Sequence, residues 1–349
     1  MSPRRIQIFD TTLPEGAEAL GAALRPRAQA ELAAQLERLG VDVVEAADAD
    51  GARAVAAAVR RPVVALAAGP REEELAAAAD ALAGSRRSRI HVVGAASAEQ
   101  ARRAVAYAAG RVDEVQLSCE GFDADVCRAA LEAGATVVSL VDGAGTAVPA
   151  ETAALVREAR RALPGVTLSV RCRDDLGLAV ANALAGARAG ADQVECAVNG
   201  LGARAGTAAL EEVVVALRVR TDWFDAETGV STAELSAASR LVSSLTGRPV
   251  QPNKAVVGAN AFAHEAGIHQ DGMLKDERTY QIIDPAEVGV RMTLPLGKHS
   301  GRHAFASACA ERGWTLVGEE LNAAFRRFKE LADGGRSVTL EELFEGVTA

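Results

Sequence analysis

The sequence feature that most constrains the fold is a repeated alternation of two kinds of segment. Short runs rich in β-branched residues alternate with stretches rich in Ala, Leu, Glu and Arg, from the amino terminus to about residue 220. The runs predict strands at 6–9, 41–45, 63–66, 90–93, 114–117, 136–141, 168–171 and 193–196. Near-continuous apolar strands are typical of a parallel sheet that is covered on both faces. Eight strand-helix units predict an α/β fold of the (β/α)8 TIM-barrel type, with an open doubly wound sheet as the alternative.

The alternation ends after Thr221, where the character of the chain changes. Residues 230–247 predict one helix, 319–331 a second, and 339–344 a short final one. Residues 250–305 are rich in loop-forming residues and contain four of the five histidines. We therefore expect a barrel domain at 1–220 and a smaller, mostly helical C-terminal subdomain at 221–349.

Composition narrows the environment and the partners. The formal net charge of the 349 residues is -9, which disfavours binding to the phosphate backbone of a nucleic acid. No apolar run approaches the roughly 20 residues of a membrane span, and no secretory signal precedes residue 6. The five cysteines are an odd number and lack metal-site spacing, which is typical of reduced thiols. We expect a cytoplasmic protein that binds neither nucleic acid nor membrane.

Charged residues gather where the predicted strands end, which is where barrels place their functional groups. Arg171 and Arg173 lie two apart on the seventh strand and therefore share a face. Two guanidinium groups at a barrel mouth require acidic partners or an anionic ligand. Asp10, Glu15 and Asp142 are the candidate partners. The pattern alone favours a structural salt-bridge cluster and an anion-binding site equally.

A second cluster of polar residues lies in the C-terminal region. His264, Glu265 and His269 fall within a few residues of one another, and such a group is suitable for general acid–base catalysis. We take these three as the candidate catalytic residues. The Gly-flanked cationic segment 296–302 is either a further anion site or an ordinary solvated turn.

Four stretches carry a resemblance to a known family. They are 9–13 (FDTTL), 174–182 (DDLGLAVAN), 253–272 (beginning NKAVVGAN) and 296–305 (LGKHSGRHAF). With them the chain resembles the α-isopropylmalate synthase and homocitrate synthase family of acetyl-CoA-dependent Claisen-condensing acyltransferases, which serve amino-acid biosynthesis. The resemblance implies a dimer, in which the C-terminal subdomain covers the neighbouring chain's barrel, and acetyl-CoA as a substrate. We expect the family's separate C-terminal regulatory domain to be missing.

The resemblance also implies a divalent metal at the barrel mouth, and most of its ligand positions have changed. The family's acidic ligand falls on Glu15, its His-x-His pair falls on Arg171 and Arg173, and its Asn falls on Thr207. Arginine has no lone pair to donate and stays cationic. We therefore expect that the chain has lost the family metal and holds no resident cofactor.

Other positions of the family site have changed as well. The Arg that polarises the keto substrate falls on Pro14, an acid–amide pair falls on Ala17 and Glu18, and a substrate-contacting Thr falls on Ala197.

Three functions stay open on the sequence alone. The first is a homologue that does not condense, and that acts as a binding, regulatory or partner subunit in a homodimer or in a heteromer with a related synthase. The second is metal-free chemistry on an α-keto acid or other carboxylate, held by Arg171 and Arg173, with His264 or His269 moving protons. The third is the ordinary acyl-CoA:2-oxo acid acyltransferase. We favour the first two over the third.

Overall fold

The computed structural model describes residues 3–262, 283–290 and 301–333, together with Leu340 and Leu343. The chain forms two compact units, Met1–Val250 and Gln251–Ala349, and each is described by itself.

The first unit contains a closed barrel of eight parallel strands, each paired with the next and the last with the first. Every predicted strand overlaps an observed one, so the predicted (β/α)8 barrel is confirmed. The strands are β1 (Gln7–Asp10), β2 (Val43–Ala46), β3 (Val63–Ala68), β4 (Ser88–Val92), β5 (Glu114–Glu120), β6 (Val137–Asp142), β7 (Thr167–Cys172) and β8 (Gln193–Cys196).

Helices surround the barrel and bury an apolar face on it, as Leu32 and Leu36 of the second helix do one turn apart. They are α1 (Thr12–Leu20), α2 (Pro26–Leu39), α3 (Ala49–Ala58), α4 (Glu72–Leu82), α5 (Ala98–Ala109), α6 (Ala124–Glu132), α7 (Pro149–Ala162), α8 (Ala179–Ala189) and α9 (Leu210–Val219). The short α10 (Thr221–Phe224) and α11 (Leu235–Thr246) follow.

The first compact unit extends past residue 220, where we expected the domain boundary. Helix α11 contacts α2, and its buried residues Leu235, Ala238 and Val242 face the rest of the unit. The amide of Asn199 also donates to the carbonyl of Ser239, 3.2 Å away. A helix that buries its apolar side on the barrel belongs to the barrel unit.

The interior of the barrel is polar. The side-chain amide of Gln116 on β5 donates to Oε1 of Glu195 on β8, 2.8 Å away, and Arg89 on β4 donates to Gln193 on β8, 2.9 Å away. Neither pair of strands is adjacent, so these hydrogen bonds cross the interior. The buried polar side chains of the strands are Asp10, Glu45, Ser88, Arg89, His91, Gln116, Ser139, Ser169, Gln193 and Glu195. This hydrogen-bonded polar core lies beside a small apolar cluster of Phe9, Val43, Val63 and Ala65, whereas branched apolar layers are common in such barrels.

The second unit contains α12 (Arg302–Glu311) and α13 (Gly318–Asp333), which confirms the predicted helix at 319–331. Phe305 of α12 packs on Phe328 of α13 with ring centroids 5.2 Å apart, and Leu340 and Leu343 are buried in the same cluster. Of the helices that the structure describes, none is both long enough and apolar enough to cross a membrane.

Candidate active site at the barrel mouth

The carboxyl ends of the strands bring together an acidic residue and two arginines. Helix α1 begins directly after β1, and its backbone hydrogen bond from Glu15 to Thr11 places Glu15 in the first helical turn, at the barrel mouth. Arg171 lies near the end of β7. Arg173 follows β7 and forms an isolated antiparallel bridge with Thr207. The sequence prediction that Arg171 and Arg173 share a face holds, since both contact the same carboxylate.

Both oxygens of Glu15 accept hydrogen bonds from guanidinium groups. Nη2 of Arg171 lies 2.6 Å from Oε1, and Nη1 of Arg173 lies 2.8 Å from Oε2. Nη2 of Arg173 also donates to Oε2 of Glu18, 2.9 Å away. The Glu15 side chain is fully buried, whereas those of Arg171 and Arg173 are 16% and 15% exposed. The arrangement is a charge-assisted network of four side chains.

The loop after β8 closes over this network. A Cβ atom placed on Gly202 would lie 2.6 Å from Oε2 of Glu15, which is too close for a real contact. A side chain at this position would therefore displace the carboxylate of Glu15 from its place between the arginines.

The charges at the mouth largely compensate one another. Burial raises the pKa of Glu15, and the two guanidinium groups oppose that rise. Burial would lower the pKa of Arg171, but the carboxylates of Glu15, Glu195 and Glu45 together raise it. The guanidinium of Arg171 therefore lies among carboxylates that neutralise it, which leaves little positive charge to attract an anion.

Asp10 was a candidate partner of the arginines, and it does not pair with them. Its carboxylate accepts from the backbone N–H of Thr12 (3.0 Å) and from the Thr12 hydroxyl (2.7 Å), and that hydroxyl accepts from Val198 N–H (2.9 Å). Burial raises the pKa of Asp10 to about 7. Asp10 thus joins the start of α1 to the end of β8.

Asp142 and Thr207 also have other partners than the arginines. The carboxylate of Asp142 accepts from the backbone N–H groups of Gly145 (2.9 Å), Thr146 (3.2 Å) and Ala147 (3.0 Å), which lie in the loop after β6. The Thr207 hydroxyl donates to the carbonyl of Cys172, 2.9 Å away. Both residues therefore hold loops of the mouth in place.

Sequence reasoning missed two features of this region. Glu18 was noted only as a departure from the family pattern, although its charge and its position one turn after Glu15 mark it as a second partner for an arginine. The second feature is the buried pair beneath the mouth, in which Nδ1 of His91 lies 2.6 Å from Oε1 of Glu45. Alternation of polar residues at 89 and 91 on β4 was the available signal.

The candidate catalytic residues His264, Glu265 and His269 lie outside the described residues, as does most of the cationic segment 296–302. Their role in acid–base catalysis stays a prediction.

The mouth does not fit the divalent metal that the resemblance implies. Glu15 has both oxygens engaged by Arg171 and Arg173, which offer no lone pairs and would repel a cation. The hydroxyl of Thr207 is directed at a backbone carbonyl. Within residues 3–262, 283–290 and 301–333, no group of three or more His, Cys, Asp or Glu side chains could hold a metal ion.

Two family models match the chain. The model described as HMGL-like matches residues 5–242, and the one described as homocitrate synthase post-HMGL domain-like matches residues 256–336. Together they cover both compact units.

Similar proteins and structures agree with these matches. The chain is 45% identical to a 2-isopropylmalate synthase of Pyrococcus furiosus, over 96% of this chain and 74% of the relative. It is 44% identical to one of Neisseria meningitidis serogroup B, over 97% and 72%. Hydroxymethylglutaryl-CoA lyase from Pseudomonas aeruginosa matches with a TM-score of 0.59 at 22% identity, over 74% of this chain and 97% of that one. The carboxyl transferase domain of Rhizobium etli pyruvate carboxylase matches with a TM-score of 0.59 at 15% identity, over 97% and 62%. These structural matches show the fold.

Proposed function

The chain belongs to the HMGL-like family, in the group of the 2-isopropylmalate and homocitrate synthases, and from this premise we propose that it is a non-condensing member of that group. In this proposal the barrel binds no catalytic metal and does not join acetyl-CoA to an α-keto acid. The protein instead acts in the cytoplasm as a binding or partner subunit, in a homodimer or together with a related synthase.

One observation carries the proposal: the carboxylate of Glu15 is bound on both oxygens by Arg171 and Arg173. A metal that polarises a carbonyl must accept electron pairs from its protein ligands. Two guanidinium groups supply none, both oxygens of the one carboxylate are shared with those groups, and the fixed positive charges oppose the approach of the ion.

Three of the departures from the family pattern belong to one connected network, which supports a stable closed mouth. Glu18, Arg171 and Arg173 each depart from that pattern, and Arg173 contacts both Glu15 and Glu18. Loss of the histidines alone would leave a buried carboxylate without a partner, at a cost of several kcal/mol. The arginines offset part of that cost, although burial still raises the pKa of Glu15, and both of its oxygens are hydrogen-bonded.

Metal-free chemistry on a carboxylate receives less support. Arg171 and Arg173 would have to hold an α-keto acid, but the carboxylates of Glu15 and Glu18 already occupy part of their donors. A substrate carboxylate would then approach existing carboxylates in a poorly solvated site, and like charges repel there.

A second candidate is the ordinary metal-dependent acyl-CoA:2-oxo acid acyltransferase. Identity of 44–45% to 2-isopropylmalate synthases over nearly the whole chain favours it. It requires Glu15 to leave both arginines when the metal binds.

The release of free CoA from acetyl-CoA tests the proposal. The full chain is assayed with a panel of α-keto acids, in Mg²⁺, Mn²⁺ or Zn²⁺ and in EDTA, beside the Neisseria meningitidis synthase as a positive control. The proposal predicts no CoA release above the enzyme-free rate under any condition. Metal-dependent release would establish the second candidate, and release that persists in EDTA would establish metal-free chemistry.

Association with a related synthase tests the partner role. The full chain is co-expressed with a synthase from the same organism, and complexes are separated by size-exclusion chromatography with light scattering. A stable hetero-complex or a homodimer is the expected result. A monomer that does not associate would contradict the partner role.

A further inference from the structure

A polar cavity lies at the end of the barrel where the strands begin, opposite the mouth. It has a volume of about 350 Å³. Its walls include the strand-start residues Gln7, Val43, Val63, Arg89 and Glu114. We propose that this basal pocket binds a small organic oxyanion through arginine side chains. The proposal does not depend on what the mouth of the barrel does.

The pocket contains more cationic groups than anionic ones. Four arginines line it (Arg5, Arg61, Arg87 and Arg89), against three carboxylates (Glu37, Asp42 and Glu114). Among the lining side chains, positive charges therefore outnumber negative ones by one, while the Asp113 carboxylate, outside the lining, also interacts with Arg87. A pocket with an excess of positive charge favours an anion as its occupant.

The three carboxylates are already occupied by the protein. Asp42 accepts from the backbone of Ile8 (2.8 Å) and from Arg5 (2.6 Å). Oε1 of Glu37 accepts the backbone N–H groups of Arg60 (2.8 Å) and Arg61 (2.7 Å). These acceptors hold the loops before β2 and β3 in place.

Glu114 is shared between two arginines. Its Oε1 lies 2.9 Å from Nη2 of Arg87, and its Oε2 accepts from Nε of Arg89, 3.0 Å away. The lining carboxylates therefore have little capacity left for a cation.

The arginines at the rim keep unused donors. A guanidinium group has five N–H bonds, and Arg5, Arg61 and Arg87 each direct only part of theirs at protein acceptors. Nη1 of each makes no hydrogen bond with the part of the chain that the structure describes. Their side chains are 61%, 73% and 58% exposed, so these donors are accessible to a ligand.

The floor of the pocket is closed. The side chain of Arg89 is 3% exposed, and its Nη1 donates to Gln116 (3.0 Å) and to Gln193 (2.9 Å) across the barrel. The polar core thus lies between this pocket and the mouth, and a ligand bound at one end does not reach the other.

A glycine keeps part of the pocket open. A Cβ atom on Gly229 would lie 2.5 Å from Nη2 of Arg5 and would displace that side chain.

Guanidinium groups bind carboxylates and phosphates through paired N–H donors. The volume is at the lower end of the range of small-molecule pockets, so the ligand is a small acid rather than a nucleotide. Phosphate esters and dicarboxylic acids share the required oxyanion chemistry.

Isothermal titration calorimetry of the full chain with inorganic phosphate and, separately, with malonate tests the proposal. Ionic strength is held constant with NaCl, because screening alone alters weak anion binding. The expected result is saturable binding of at least one probe. The double variant Arg61→Gln/Arg87→Gln is expected to weaken it by about tenfold or more, since each guanidinium makes charge-assisted hydrogen bonds.

The control variant is Arg128→Gln, which removes a similarly exposed arginine from α6 at 56% exposure and should bind as the wild type does. Binding of phosphate alone identifies a phosphorylated ligand, and binding of malonate alone identifies a carboxylic acid. No saturable binding of either probe, or unchanged binding by the double variant, would overturn the proposal.

The variant Arg171→Gln tests whether the anion binds at the mouth instead. If this variant loses binding while Arg61→Gln/Arg87→Gln keeps it, the anion binds at the mouth and the proposal is overturned.

Discussion

Oε1 of Glu15 and Nη2 of Arg171 lie 2.6 Å apart across the barrel mouth, in a salt bridge whose carboxylate is fully buried. The family resemblance expects an imidazole nitrogen at position 171, free to coordinate a metal. A guanidinium at that position turns a prospective metal ligand into one half of an ion pair.

Removal of the Glu15 charge should destabilise the barrel. Glu15→Gln leaves Arg171 and Arg173 without their shared carboxylate, and the cost should be about 2 to 4 kcal/mol, because the arginines are only slightly exposed. Urea unfolding monitored by circular dichroism measures it. Glu132→Gln is the matched control: its carboxylate pairs with Arg102 but is 68% exposed, so the change should be about 1 kcal/mol or less. Equal effects of the two variants would mean that the mouth pair contributes no more than a surface pair.

Asp10 should give the stability a characteristic dependence on pH. Its pKa is raised from 3.8 to about 7, so between about pH 4 and pH 7 the folded protein holds a proton that the unfolded chain has released. Stability from this group therefore falls as pH rises through that window and is constant above it. The difference between the two limits is as much as ~4 kcal/mol.

Asp10→Asn removes the titrating group and keeps an acceptor for the Thr12 N–H, so its stability should change less between pH 4.5 and pH 8 than that of the wild type. Chemical unfolding at several pH values measures the slope. Asp125→Asn, at a carboxylate that is 83% exposed, should retain the wild-type slope. Parallel curves for Asp10→Asn and the wild type would show that Asp10 is not the group responsible.

Replacement of the two arginines by histidine should create a metal site. The double variant Arg171→His/Arg173→His frees Glu15 and supplies two imidazole groups, which are good ligands for Zn²⁺ and Mn²⁺. We expect it to bind about one Zn²⁺ per chain and to unfold at a higher temperature in the presence of the ion.

Arg171→Gln/Arg173→Gln is the control for that experiment, because it frees Glu15 without adding imidazole. Thermal shift with and without Zn²⁺ compares the two variants with the wild type. An equal shift for all three proteins would show that positions 171 and 173 do not decide metal binding.

The fold could be predicted from the sequence because the barrel strands repeat a strong local signal. The run at 193–196 matches β8 residue for residue. Strand ends were predicted less well. The prediction ended the fifth strand at 117 because Ser118 and Glu120 are polar, whereas β5 continues to Glu120. The limit of the first unit at Val250 depends on which surface α11 packs against, and a helical pattern alone does not contain that information.

The site could be predicted only in part. The spacing of Arg171 and Arg173 predicted their common face, and charge predicted Glu15 as a partner. Asp142 was an equally good partner by charge, but the backbone N–H groups at 145–147 bind it instead, and loop conformation is not readable from residue types. The polar core was missed because burial of Arg89 and Gln193 is favourable only when they hydrogen-bond to each other. That partnership depends on the closed barrel and is not visible in the sequence.

The most direct test of the closed mouth is the metal content of the full chain. The wild-type protein is equilibrated with excess Mn²⁺ or Zn²⁺, freed of unbound ion by gel filtration and analysed by plasma mass spectrometry, beside Glu15→Gln. The account predicts that the two proteins contain the same amount of metal, because Glu15 is engaged by Arg171 and Arg173 and coordinates none. About one divalent ion per wild-type chain that disappears in Glu15→Gln would contradict it.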